Sequence, residues 1–184
     1  DPLQIQSLLN RLFGHLTEII RKHGGTIDKY MGDCVMAFWG APMSQPEHAQ
    51  IALHCAHEII TSLPRINSDL KASGLMPSQH HDLGVSIALN TGIMCVGNMG
   101  TELRQAYTVI GDEVNLAARI MSYGDWEEVL VDGEIQKNRN FSFQHRGDIQ
   151  YKGVKRDIPT YMLIGRNESR QQVYSENMVG RDAE

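Results

Sequence analysis

No apolar run in the 184 residues approaches the ~20 that a membrane-spanning helix needs, so a span within this stretch is excluded. Any membrane attachment is expected only through domains outside the chain. The opening residues are amphipathic, with no basic leader ahead of an apolar core. Positive charge is also in short supply: 17 Lys and Arg against 22 Asp and Glu leave a net charge of -5, which argues against a nucleic-acid surface. Local basic residues remain able to bind phosphate. Cysteine is scarce, and Cys34, Cys55 and Cys95 are odd in number, widely spaced and set among apolar neighbours. They read as buried thiols of a reducing compartment, which favours a cytoplasmic location. Internal repeats and low-complexity tracts are absent. The length suits one domain with its own core plus a tail.

Helical spacing is evident at Ile5, Leu8, Leu9, Leu12, Leu16, Ile19 and Ile20, after an Asp1-Pro2 start and before a stop at Gly24. Thr26 to Met31 and Cys34 to Trp39 are β-prone runs around Gly32-Asp33, the signature of a tight hairpin. Ser44-Gln-Pro-Glu47 has capping-box spacing ahead of a helix reaching at least Leu63, with Pro64 expected to end or kink it. Ala72 to His81 reads as a loop. Leu83, Val85, Ile87 and Leu89 alternate with smaller or polar residues as a strand does. Asn90-Thr-Gly92 should then turn the chain into a short returning strand, Ile93 to Val96, closed by a Gly97-Asn-Met-Gly100 loop. Tyr107 to Ile110 is β-prone, and a helix starts at Gly111-Asp112. Strands are expected at Val129 to Val131, Phe141 to His145, Ile149 to Lys152 and Thr160 to Ile164, with Asp132 capping a short helix through Lys137. Strands interleaved with helices, several joined too tightly for parallel crossovers, indicate an α+β fold with a mostly antiparallel sheet.

Two constellations carry chemistry. The hairpin turn lifts Asp33 onto an exposed tip with Lys29 nearby on the incoming strand, which suits a polyanion carrying a hard metal ion. On the later helix, Asn115 and Arg119 lie four residues apart on one face, and an amide beside an Arg fork suits a phosphoryl group gaining charge. Taken singly, each pattern is also that of a plain turn or a solvated helix face.

Together the two motifs, Thr26-Ile-Asp-Lys-Tyr-Met-Gly-Asp33 and Ala106-Tyr-Thr-Val-Ile-Gly-Asp-Glu-Val-Asn-Leu-Ala-Ala-Arg119, resemble the catalytic domain of the class III nucleotidyl cyclases over about Asp1 to Ile164. The resemblance implies a ferredoxin-like antiparallel sheet with flanking helices, working as a head-to-tail homodimer with active sites at the interface. It makes Asp33 the second of two metal-binding aspartates, Lys29 the purine-selecting lysine and Thr108 its partner. Asn115 and Arg119 become the pair that orients the ribose and stabilises the pentavalent phosphate. Lys152 meets the terminal phosphates, with Lys155 a weaker candidate. Lys can donate to an adenine ring nitrogen and Thr can accept from the exocyclic amine, so ATP is the expected substrate, with two Mg2+ or Mn2+ ions per active site. The family's first metal aspartate lies on a strand before the opening helix, and this chain starts after it. Residues 1–184 alone are therefore expected to lack turnover.

Residues 1–165 read as the catalytic domain and 166–184 as a polar tail or linker, in which Val179-Gly-Arg-Asp-Ala-Glu184 resembles the lead-in to an ATPase module of some soluble cyclases. The rival readings are a guanylyl cyclase and a non-catalytic nucleotide-binding module. His54-Cys-Ala-His57 has half of a zinc spacing with no second pair of ligands, so these imidazoles read as helix-face residues. His80 and His81 read as solvated, and Met94 and Met99 as core filler.

Overall fold

Along residues 2–167, which the computed structural model describes, the elements are α1 (Pro2–Lys22), β1 (Thr26–Met31), β2 (Cys34–Phe38), α2 (His48–Ala72) and β3 (Ile87–Leu89). Then follow β4 (Cys95–Thr101), β5 (Arg104–Ile110), α3 (Asp112–Met121), β6 (Val129–Asp132), a 3-10 turn at Ile135–Lys137, β7 (Phe141–Ile149) and β8 (Ile158–Arg166). The class is α+β. Strands β3-β6-β8-β7 form a four-stranded sheet in that order, with β3 and β6 parallel and the other pairs antiparallel. Two separate hairpins, β1-β2 and β4-β5, complete the strands.

Strand β6 is buried along its whole length, and its alternation decides what covers each side. Val129 and Val131 face Leu53 and Ala56 of α2, whereas Leu130 faces Leu116 and Ile120 of α3. The sheet therefore lies between two helices. A further core joins Leu12, Leu16, Ile19 and Ile20 of α1 to Cys55, Ile59, Ile66 and Leu70 of α2, with Ile27, Val35 and Ala37 of the first hairpin packed against it. Full burial of each large aliphatic side chain contributes about 1.5–3 kcal/mol.

Several expectations need correction. Pro64 sits inside α2 without ending it. The helix continues because Leu63, Ile66 and Leu70 are all buried, and that packing offsets the hydrogen bond that proline cannot make. The Ser44–Glu47 capping box does not form: α2 starts at His48 with no side-chain cap. Leu83 and Val85 are outside the ladder: the buried Asn67 amide takes Leu83, accepting from its N–H at 2.8 Å and donating to its carbonyl at 3.0 Å, and the Val85 carbonyl accepts from Glu127 N–H at 2.9 Å. Ile93 to Val96 is not a return strand against β3. Instead Cys95 pairs with Ile110, and the glycine-rich Gly97–Gly100 segment lies within β4. Phe141 to Ile149 is one strand, and Lys152 falls in the turn beyond it. Of the thiols, Cys55 is buried, Cys34 half-buried and Cys95 exposed. Burial, with a smaller push from Glu58, raises Cys55 to about 12. Cys95 is the exposed first residue of β4. Among the described residues no helix is long and apolar enough to cross a membrane.

Ion pairs fasten α1 to α2. Arg11 donates to both oxygens of Asp69 at 2.9 and 3.0 Å, with His15 Nε2 at 2.8 Å, while Lys22 and His23 each reach Glu58 at 2.7 Å. Hydrogen bonds from Arg11 and then His15 hold the Asp69 carboxyl well below the usual carboxylate range, and Lys22 and His23 lower Glu58. Such pairs stabilise the fold above about pH 4, the unfolded carboxyl value, and their contribution is lost as pH falls through the lower folded values. Asp69→Asn is thus expected to lower the Tm at pH 7 and to flatten its fall below about pH 4. Circular-dichroism melts across pH check this, and a variant whose Tm falls as steeply as the parent's would contradict it.

Candidate active site

Gly32 adopts φ +60 at the first hairpin turn, a backbone that favours glycine, and the next residue is Asp33. The Asp33 carboxylate is exposed and holds no hydrogen bond or ion pair among the described residues. Lys29 lies on β1, half exposed, with its Nζ 3.3 Å from Asp28 Oδ2. That neighbour was not foreseen. The β1-β2 register shifts between Ile27 and Lys29, and Asp28 occupies the bulge with its side chain 0% exposed. Neither carboxylate oxygen has a hydrogen-bond partner, so Lys29 is in ion-pair range without hydrogen-bond geometry. A carboxylate directly before the lysine was the available signal, but simple alternation places neighbouring side chains on opposite faces.

Strand β5 comes close to β1 without hydrogen-bonded pairing, and the rings of Phe38 on β2 and Tyr107 on β5 are 6.2 Å apart. Thr108 lies opposite Gly97, where a Cβ would meet nothing within 4 Å. The Thr108 hydroxyl is buried and has no hydrogen-bond partner. Unmet donors of this kind are uncommon in folded chains.

Helix α3 enters from an extended Gly111, with Asp112 and Glu113 in its first turn, where the helix dipole favours carboxylates. Glu113 accepts a hydrogen bond from Asn90 Nδ2 at 2.8 Å, tying the helix start to the end of β3. Gly92 leaves room for this, since a Cβ there would lie 2.5 Å from Glu113 Cγ. Leu116 and Ile120 anchor the helix in the core. Asn115 and Arg119 are then left on the exposed side, without side-chain partners among the described residues. Lys152 is exposed immediately after Tyr151, which is buried and shares a 2.9 Å hydrogen bond with Thr160 Oγ1. Tyr151 also packs edge-on to Tyr123, just past α3, at 6.1 Å. Lys155 is exposed in the same turn.

The residues thus form two groups. Lys29, Asp33 and Thr108 lie on the two hairpins, whereas Asn115, Arg119 and Lys152 lie on or near α3. Within one copy no hydrogen bond or ion pair joins the groups among the described residues. A free carboxylate such as Asp33 suits Mg2+, which takes one or two carboxylates and completes its shell with phosphate and water. Among the described residues no group of three or more His, Cys, Asp or Glu could hold a metal. The rings of His54 and His57 instead lie edge-on to Phe141 at 4.9 and 5.6 Å, and burial followed by the Arg166 charge lowers both pKa values. His80 and His81 are exposed, while Met94 and Met99 are half-buried. Val179 to Glu184 lies outside the described residues.

A family model for the adenylate and guanylate cyclase catalytic domain matches residues 1–165. Among curated relatives, adenylate cyclase 1 of Rhizobium meliloti (strain 1021) is 31% identical over 90% of this chain. The chain spans only 25% of that protein's length. Among solved structures, the guanylyl cyclase Cya2 has a TM-score of 0.83 at 33% identity, covering 93% of this chain and 85% of its own. The adenylyl cyclase CyaB from P. aeruginosa has a TM-score of 0.77 at 31% identity, covering 89% and 83%.

An unsatisfied buried hydroxyl costs about 1–3 kcal/mol, and valine has nearly the shape of threonine. Thr108→Val is therefore expected to leave the Tm of the nucleotide-free protein unchanged or to raise it. Calorimetry tests this, and a lower Tm would mean that the hydroxyl already holds a partner.

Proposed function

The chain belongs to the adenylate and guanylate cyclase catalytic-domain family, and on that premise we propose that it is an adenylyl cyclase, converting ATP to 3′,5′-cyclic AMP and pyrophosphate as a homodimer. The observation that carries the choice of base is the Thr108 hydroxyl, buried and unpartnered on the strand beside the one that bears Lys29. Lys29 donates to an adenine ring nitrogen while Thr108 accepts from the exocyclic amine. Guanine presents N–H donors at that edge and would need an acceptor where Lys29 stands.

In the reaction the ribose 3′ oxygen loses its proton and attacks the α-phosphorus, and the bridging oxygen leaves with pyrophosphate. Asn115 orients the ribose. The Arg119 fork, free of other partners among the described residues, meets the charge that builds on the five-coordinate phosphorus. Lys152 binds the terminal phosphates, which draws the leaving group away from the attacking oxygen. Asp33 would hold metal, and the two Mg2+ ions of the reading would supply charge neutralisation for the phosphoryl transfer.

Dimerisation is supported by the separation of the two residue groups and by the apolar side chains around the β4-β5 hairpin. Leu103 is 99% exposed, Ile93 98% and Ile110 57%, a surface that a second copy would cover. Residues 1–165 then form the catalytic domain, in a cytoplasmic setting. A guanylyl cyclase is the second reading, favoured by the likeness to Cya2.

The parent protein, including residues upstream of Asp1, is assayed with ATP and with GTP under Mg2+. ATP is expected to be preferred, and Lys29→Glu to shift preference toward GTP. Arg119→Ala is expected to lower kcat by about 10²–10³ with little change in KM. A Lys29→Glu protein that still prefers ATP would refute the assignment of the base selector.

A further inference from the structure

The least expected polar group in the chain is the Asp28 carboxylate. Successive side chains on a regular strand point to opposite faces, so residues 28 and 29 would not ordinarily meet. Here Ile27 pairs with Ala37 and Lys29 with Met36, which leaves Asp28 as the extra residue of a bulge. The bulge turns its carboxylate to within 3.3 Å of Lys29 Nζ. The Asp28 side chain is 0% exposed and neither oxygen accepts a hydrogen bond. A carboxylate withdrawn from water is costly unless a cation compensates it, and among the described residues Lys29 is the one cation in ion-pair range.

We propose that Asp28 is a positioning residue for base selection: its buried carboxylate fixes the Lys29 ammonium where the edge of the purine arrives. The proposal rests on the reading of Lys29 as the base selector. A lysine side chain has many rotamers, and on an exposed strand its head sweeps through solvent. Binding through such a head must first order it. The Asp28 carboxylate does that ordering in advance, because it attracts the ammonium from one side only. An ammonium has three N–H donors, so directing one toward Asp28 leaves two for a base. Lys29 remains 50% exposed, which keeps those donors within reach of a ligand. The Thr108 hydroxyl is on the adjacent strand, so a purine edge would meet two groups whose positions are set before it binds.

The alternative is that Asp28 only fills the bulge. Binding of ATP, GTP and inorganic tripolyphosphate, with Mg2+, to the parent protein separates the two. The proteins compared are the unaltered one, Asp28→Asn, Lys29→Met and the double variant. Asp28→Asn is expected to weaken ATP about tenfold, to change tripolyphosphate less than about twofold and to add nothing in the Lys29→Met background. Equal losses for ATP and tripolyphosphate, a loss that persists without Lys29, or no loss at all would overturn the proposal. If Lys29→Met leaves the ratio of ATP to GTP affinity unchanged, the selector reading fails and takes this proposal with it. If that ratio moves while Asp28→Asn has no effect, only the positioning role fails. Should Asp28→Asn not fold, the unaltered protein supplies the answer through NMR of its lysine side chains. Lys29 is expected to show inequivalent Hε protons, and averaging like that of the other exposed lysines would overturn the proposal.

Discussion

Burial of β6 on both faces is the constraint on which the rest of the structure depends. Because the strand has no solvent face, every residue of Val129-Leu-Val131 must find an apolar partner, and the two sides call for two helices. Leu130 accepts Leu116 and Ile120, and that contact sets the rotation of α3 about its axis. A helix whose buried side is fixed has its exposed side fixed too, so Asn115 and Arg119 are displayed as a consequence of packing. The proposed phosphate chemistry thus depends on side chains that never touch a ligand. Asp132 ends the same strand buried, its Oδ1 accepting backbone N–H groups of Glu134 and Ile135 and its Oδ2 that of Thr91. Burial raises its pKa, but these hydrogen bonds work in the opposite direction.

The hairpins that carry Lys29, Asp33 and Thr108 are stabilised differently. The first packs against the α1-α2 core, and neither hairpin is hydrogen-bonded into the four-stranded sheet. In the proposed enzyme, the base-recognition residues and the metal carboxylate therefore sit on the hairpins, and the ribose- and phosphate-binding side chains on or beside α3. A change in how hairpin and sheet are held would alter alignment between base and phosphate without disturbing either group internally. Such an arrangement suits an activity completed between two copies, since each copy need only keep its own unit rigid.

Much of this was legible in the residues. Helix α1, the first hairpin and α3 follow from a 3.6-residue period, a Gly-Asp turn and the Gly111-Asp112 start, all of them local signals. What escaped was decided at a distance. Pro64 reads as a break unless one knows that Ile66 and Leu70 are buried beyond it. Leu83 and Val85 alternate like a strand, yet Asn67, 16 residues earlier, takes the Leu83 backbone, and the Val85 carbonyl accepts from Glu127 just ahead of β6. Gly97 to Gly100 reads as a loop because glycine seldom signals pairing, but its partner strand supplies the order. In the candidate site, residue identities came from motif and spacing. The pairing of Asp28 with Lys29 did not, since it depends on a bulge that local pattern leaves unmarked.

Both unsatisfied groups of the two hairpins, the Asp28 carboxylate and the Thr108 hydroxyl, are costly to an unliganded protein. Apolar residues at either position would pack without that cost, so stability alone gives no reason to keep them. Their strands are neighbours, and both strands contribute to the proposed base pocket. A donor or acceptor that finds no partner within the fold is already desolvated, so a ligand that reaches it gains the hydrogen bond without displacing water from it. The cost borne by the empty site thereby becomes discrimination in the filled one. A base that completes the Thr108 hydroxyl and accepts from the Lys29 ammonium held by Asp28 relieves the hydroxyl's penalty, and a base that cannot leaves it in place. Selectivity of this kind requires the groups to be held still, which is the role that the bulge and the Lys29 contact serve on β1 and the pairing with Gly97 serves on β5.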